Sequence, residues 1–201
     1  MKDGTRIKKL LEKMEFGALD ANLELIEIAF GDLTRISSKT GKNLVQELVS
    51  RKYDENKCQI VLRTLFRKAG LNPNHVDKNG LDFVQTAINT GYSEKFVCDC
   101  IRQTLALGYD VNHKDNEGNT VVHSAIKATN YHDSFISLLK LVDVHGYDTH
   151  AKDNNGKEIS DLAMETTKYT KIVKMKQIKD MYDIVSRPKN LIVHAPKPKM
   201  K

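Results

Sequence analysis

The chain has 201 residues, 40% of them hydrophobic and 29% charged, and a formal net charge of +6. Five of those net charges are Arg187, Lys189, Lys197, Lys199 and Lys201, which follow the last acidic residue, Asp183, so the body is nearly neutral and the basicity belongs to a tail. The three cysteines, Cys58, Cys98 and Cys100, are too few for a disulfide framework, which makes a reducing compartment the default. No long apolar block follows the N-terminus, so neither a signal peptide nor a transmembrane segment is expected, and no membrane partner.

Residues 5–30 predict two helices. Ile7, Leu10, Leu11 and Met14 recur at i, i+3, i+4 and i+7. Gly17 marks a break, and Leu23, Ile26 and Phe30 continue at helical spacing. This pair has no loop in front of it, as a terminal capping unit would not. A second pair is expected over 42–52 and 55–69, with Ile60, Val61, Leu62, Leu65 and Phe66 as its stripe. Asn72, Pro73 and Asn74 then open a loop, because proline cannot continue a helix. Further pairs are expected over 81–90 and 94–107, over 119–129 and 132–145, and over 157–166 and 169–185. In the last helix Ile178, Met181, Tyr182 and Val185 share one face, and Lys171, Lys174, Lys176 and Lys179 give the charged outer face a terminal cap needs. Pro188, Pro196 and Pro198 exclude a helical tail.

A repeat runs through these pairs. Gly31, Gly70, Gly108 and Gly146 step by 39, 38 and 38 residues, and each is followed ten residues later by a second glycine, Gly41, Gly80, Gly118 and Gly156. A fixed period in this range signals stacked repeats. The segments between the glycines carry Asp77, Asp115 and Asp153, and Asp with Gly favours tight turns. After the second glycine comes a column of helix-capping side chains, Asn43, Asp82, Thr120 and Glu158. Three residues further on stand Gln46, Gln85, His123 and Asp161, polar groups able to bond the backbone of a neighbouring turn. Leu48, Ala87, Ala125 and Ala163 follow, small enough in three cases for close helix approach.

Asp115, Gly118, Thr120, His123 and Ala125 resemble the D-x-x-G-x-T-P-L-H-x-A core of the ankyrin repeat, and Gly108, Asp110, Val111 and Asn112 resemble its G-A-D-V-N. The resemblance runs from about Gly31 to Ile184. The family proline is replaced by Leu44, Phe83, Val121 and Ile159, one repeat alone keeps the histidine, and the period exceeds the family's 33 or so. The resemblance implies an all-α ankyrin-like solenoid of about five antiparallel helix pairs with β-hairpin-like loops near residues 36, 75, 113 and 151. The expected organisation is a repeat domain over 1–185, with units near 5–30, 31–69, 70–107, 108–145 and 146–185, and a basic tail over 186–201.

No nucleophile, paired acid, phosphate loop or metalloprotease helix accompanies His123, so a structural histidine is expected there. Cys98 and Cys100, two residues apart on a helix, do not share a face and make no metal site. The expectation is a non-enzymatic protein-interaction scaffold with no cofactor and no small-molecule substrate. The resemblance implies a protein partner on the concave surface and loop tips, here Lys78, Asn79, Asn116, Glu117, Asn154 and Asn155. Leu71, Tyr109 and Tyr147 recur at the position after the loop-opening glycine and are expected to form a partly exposed ladder for the partner. An IκB-like inhibitor of Rel/NF-κB factors, of the viral or effector type, is one alternative, opposed by like charge between a basic tail and a basic Rel face. Another is a chromatin or nucleic-acid adaptor. The tail's five cations, without interleaved aromatics, would give that adaptor only a salt-sensitive, sequence-independent contact. An intracellular setting, cytoplasmic or nuclear, follows from these readings, in the host cell for an effector or viral protein.

Overall fold

The computed structural model describes residues 3–15, 18–128 and 135–166. Among the described residues there are nine helices and no strand. They are α1 (Asp3–Lys13), α2 (Leu19–Phe30), α3 (Leu44–Val49), α4 (Glu55–Arg67), α5 (Phe83–Thr90), α6 (Glu94–Leu105), α7 (Val121–Lys127), α8 (Phe135–Asp143) and α9 (Ile159–Thr166). No helix of the described residues is long and apolar enough to cross a membrane. The helix expected over 169–185 and the tail lie outside the described residues.

The short helices start two residues later than the periodicity predicts, for a local reason. Asn43, Asp82 and Thr120 are N-caps in extended conformation, and each side chain accepts from the backbone N–H three residues on. Gln46, Gln85 and His123 return a bond to the cap's own N–H. These reciprocal capping boxes satisfy otherwise orphaned donors and fix where each helix begins. Asp54 and Ser93 cap α4 and α6 in the simpler way. At the other end, α6 and α8 stop on glycines. The Gly108 N–H donates to Leu105 and the Tyr109 N–H to Thr104, and Gly146 and Tyr147 repeat this on Asp143 and Val142. The left-handed φ of +83° at Gly108 and +84° at Gly146 makes that turn possible.

Packing follows the same period. α3, α5, α7 and α9 lie each against the next, and so do α2, α4, α6 and α8. Within a unit, α3 packs on α4, α5 on α6 and α7 on α8. α1 packs on α2 and α4. One core runs along the row, from Leu10, Leu11 and Met14 through Leu62, Leu65 and Phe83 to Val122, Leu138 and Ile159. Phe66, Phe83 and Tyr109 continue it from unit to unit, with ring centroids 5.0 and 5.9 Å apart. The N-terminal pair is tied down by polar contacts as well. Asn22 bonds both the N–H and the C=O of Glu15, and the Lys57 ammonium donates to the Met14 carbonyl.

Candidate functional site

The loops between units are four turns over residues 31–43, 70–82, 108–120 and 146–158. Their expected hairpin character is local. Among the described residues a single antiparallel bridge, Lys152 with Glu158, has strand-like pairing. The turns are held by their aspartates instead. Asp77 accepts from the N–H groups of Asn79 and Leu81 at 2.8 and 3.1 Å. Asp115 does the same for Glu117 and Asn119, and Asp153 for Asn155 and Lys157. A carboxylate accepting two amides is a stable turn centre.

Successive turns are laced together. The N–H groups of Lys78, Asn116 and Asn154 donate to the carbonyls of Thr40, Asn79 and Glu117, at 3.0, 3.1 and 3.0 Å. Their side chains reach back too, to the carbonyls of Ser38, Lys78 and Asn116. Further along, Asn74 donates to the Gly108 carbonyl and accepts from the Asp110 N–H, and Asn112 does likewise with Gly146 and Asp148. His75 and His113 donate through Nε2 to the carbonyls of Gly41 and Gly80. The turns approach so closely that a Cβ on Gly80 would lie 2.8 Å from the Asn116 nitrogen, and one on Gly118 2.7 Å from that of Asn154.

The column of Gln46, Gln85 and His123 joins the units at a second level. All three are fully buried. Gln46 donates to the Leu81 carbonyl at 2.6 Å, Gln85 to Asn119 at 2.7 Å, and His123 Nε2 to Lys157 at 3.2 Å. His123 thus bonds backbone and a loop hydroxyl, Thr120 Oγ1, 2.8 Å from its Nδ1. Burial holds its pKa below the ordinary value, although the Lys157 carbonyl and Asp153 act in the opposite sense. Asp161, in the same column, accepts from the Glu158 N–H three residues back, at 3.0 Å.

The structure corrects the tyrosine ladder. Tyr109 and Tyr147 are 6% and 3% exposed, so they are core and not a surface offered to a partner. The reason lies one unit back. Tyr109 donates to the Asp82 carboxylate at 2.9 Å, and Tyr147 meets Thr120 Oγ1 at 2.7 Å, each reaching the cap of the preceding short helix. The glycine turn before each tyrosine swings its ring inward over that cap. Leu71 has no hydroxyl and lies half-buried against the core. Burial pushes Tyr109 and Tyr147 well above the usual phenol range, and the Asp82 charge adds to this at Tyr109. Burial likewise pushes Asp82 up, against the pull of the Gln85 amide and the Tyr109 hydroxyl.

The turn-tip residues divide into two groups. Lys78, Asn116 and Asn154 are exposed but serve as rungs between turns, as above. Asn79, Glu117 and Asn155 are exposed and one position further on. The side chains of Asn79 and Asn155 make no hydrogen bond among the described residues, and Glu117 accepts one from Asn119. Sequence reasoning missed the rungs from Asn74, Asn112, His75 and His113, whose 38-residue spacing was the available signal. It also missed the pair between Lys127 and the buried Asp153, 3.1 Å apart. Burial alone would raise Asp153, but the Lys157 amide, the Lys127 ammonium and the Asn155 amide outweigh it and bring its pKa to about 2. Cys58, Cys98 and Cys100 are buried free thiols, and burial pushes Cys58 and Cys98 up to about 11. Such thiols are not poised as nucleophiles. The basic tail residues Arg187, Lys189, Lys197, Lys199 and Lys201 lie outside the described residues. No protein-family model matches this sequence, and a search of curated proteins finds no match.

Proposed function

We propose that the chain is an ankyrin-type repeat array that binds a protein partner through its turn tips and the adjoining short helices. One observation carries the reading. Almost every polar column of the repeat is consumed in joining one unit to the next, while Asn79, Glu117 and Asn155 recur in register at the tips with exposed side chains that make one hydrogen bond or none among the described residues. Equivalent positions on stacked units form a row about 10 Å apart, the span of a hot-spot row inside a standard interface. The hydroxyl and imidazole that meet in the buried columns, Thr120 and His123, are both fully enclosed and out of reach of a substrate. The histidine and carboxylates of these columns bond backbone, caps and a neighbouring lysine, which favours a scaffold over a catalyst.

The test is affinity capture from the native cell with four proteins: the wild type, an Asn79→Ala/Glu117→Ala/Asn155→Ala variant, a Tyr147→Phe variant and a chain lacking residues 187–201. The expected result is a partner lost by the tip variant, which still melts like the wild type, and kept by the other two. Loss of the partner on tail deletion alone, with the tip variant binding normally, would instead favour the polyanion adaptor.

A further inference from the structure

We propose that the His123 junction is an acid-sensitive latch that holds the last described unit, residues 146–166, onto the rest of the array. The same junction is made earlier by Gln46 and Gln85, whose amides do not titrate. Here an imidazole replaces them, and its hydrogen bonds fix its protonation. The Lys157 carbonyl can only accept, so Nε2 carries the proton. Nδ1 is then the acceptor for the Thr120 hydroxyl at 2.8 Å, with the Thr120 N–H at 3.4 Å. Thr120 Oγ1 in turn accepts from the Tyr147 hydroxyl at 2.7 Å. Tyr147 and Lys157 both belong to the last turn, so one ring serves two attachments of that unit.

A proton on Nδ1 converts this acceptor into a donor. It then faces the Thr120 N–H and O–H, both donors. The N–H loses its acceptor, the threonine hydroxyl must rotate toward Tyr147, and the phenol must turn away. Among the described residues, no surrounding group is free to receive the new charge. Asp153 is already held by Lys127 and by the amides of Asn155 and Lys157. Lys127 and Lys114, the nearby cations, oppose it. α5 carries no charged residue. On α9, Asp161 accepts from the Glu158 N–H and Glu165 pairs with Lys157. On α8, Lys140 is exposed and Asp143 half-buried at the helix end. His75 and His113 differ: both are half-buried, and each uses Nε2 alone among the described residues, so a proton on their Nδ1 breaks nothing. The folded His123 pKa lies below its ordinary value. An imidazole of that kind binds its proton more readily when the unit has opened, so opening grows as pH falls through about 6.5.

Peptide-resolved hydrogen exchange of the full chain at about pH 7.5 and about pH 5.5, corrected for the intrinsic pH dependence of amide exchange, tests this. In the wild type, exchange over residues 147–166 rises by up to about tenfold at the lower pH, while α3 and α4 are unchanged. His123→Gln, which copies the other two junctions, abolishes the acid step. Tyr147→Phe retains it, because the ring still titrates. An acid step of equal size in His123→Gln, or none in the wild type, would overturn the latch.

Discussion

Among the described residues, the Tyr109 hydroxyl is the one side-chain donor bonded to the Asp82 carboxylate, which is enclosed by the core. Removing it leaves a buried acceptor short of a partner, so Tyr109→Phe should lower stability by about 1–3 kcal/mol in urea unfolding. Tyr147→Phe should be milder, about 1 kcal/mol, because Thr120 keeps its contact with His123. Gln85→Leu strands the Asp82 N–H and takes one of its two donors from the Asn119 carbonyl, which keeps the Asp115 N–H, and about 1–3 kcal/mol is again expected. Asp153 gives a pH signature of opposite origin to the latch. Its pKa of about 2 in the folded chain lies below the usual carboxylate value. The stability it contributes is therefore intact above about pH 4 and is lost as pH falls toward about 2. Asp153→Asn should lower stability at all pH values above about 4, where the charged carboxylate contributes, and should flatten the acid limb between about pH 4 and 2. An acid limb identical in the two proteins would contradict the assignment.

At the level of the turns, the glycines separate two causes of strain. Gly118 and Gly156 both have positive φ, +78° and +75°. A side chain at either is disfavoured by about 1–2 kcal/mol for that backbone conformation. At Gly118 a Cβ would also lie 2.7 Å from the Asn154 nitrogen, whereas at Gly156 nothing lies within 4 Å. Gly118→Ala should accordingly lower the melting temperature clearly more than Gly156→Ala, and equal losses would mean that the close approach of turns carries no weight. The same columns explain what the sequence made legible. Asp115 accepts from amides two and four residues on, and Thr120 and His123 close a capping box three residues apart, so these local roles follow from spacing alone. The backbone bonds of Gln46, Gln85 and His123 were legible too, as polar residues at a fixed place on a short helix. The tyrosines were not. Whether Tyr109 points out or in depends on how the chain leaves the left-handed glycine and on a cap 27 residues earlier, a relation between two columns. The pair of Lys127 with Asp153 was hidden for a similar reason, since its spacing of 26 residues occurs once and belongs to no repeat.

Across the whole molecule, each unit touches its immediate neighbours, and the bonds between them recur at two levels, turn to turn and short helix to turn. An array of this kind owes its stability to units and to junctions between adjacent units, so weakening one junction should loosen what lies beyond it before the rest. A core shared by all helices would instead open as a whole. The most direct measurement is peptide-resolved hydrogen exchange at neutral pH on Gln85→Leu beside the wild type. The account predicts faster exchange in the turn over 108–120 and in α7, with α1, α2 and the centre of α4 close to wild type. The same acceleration in every helix, or none at 108–120, would contradict it.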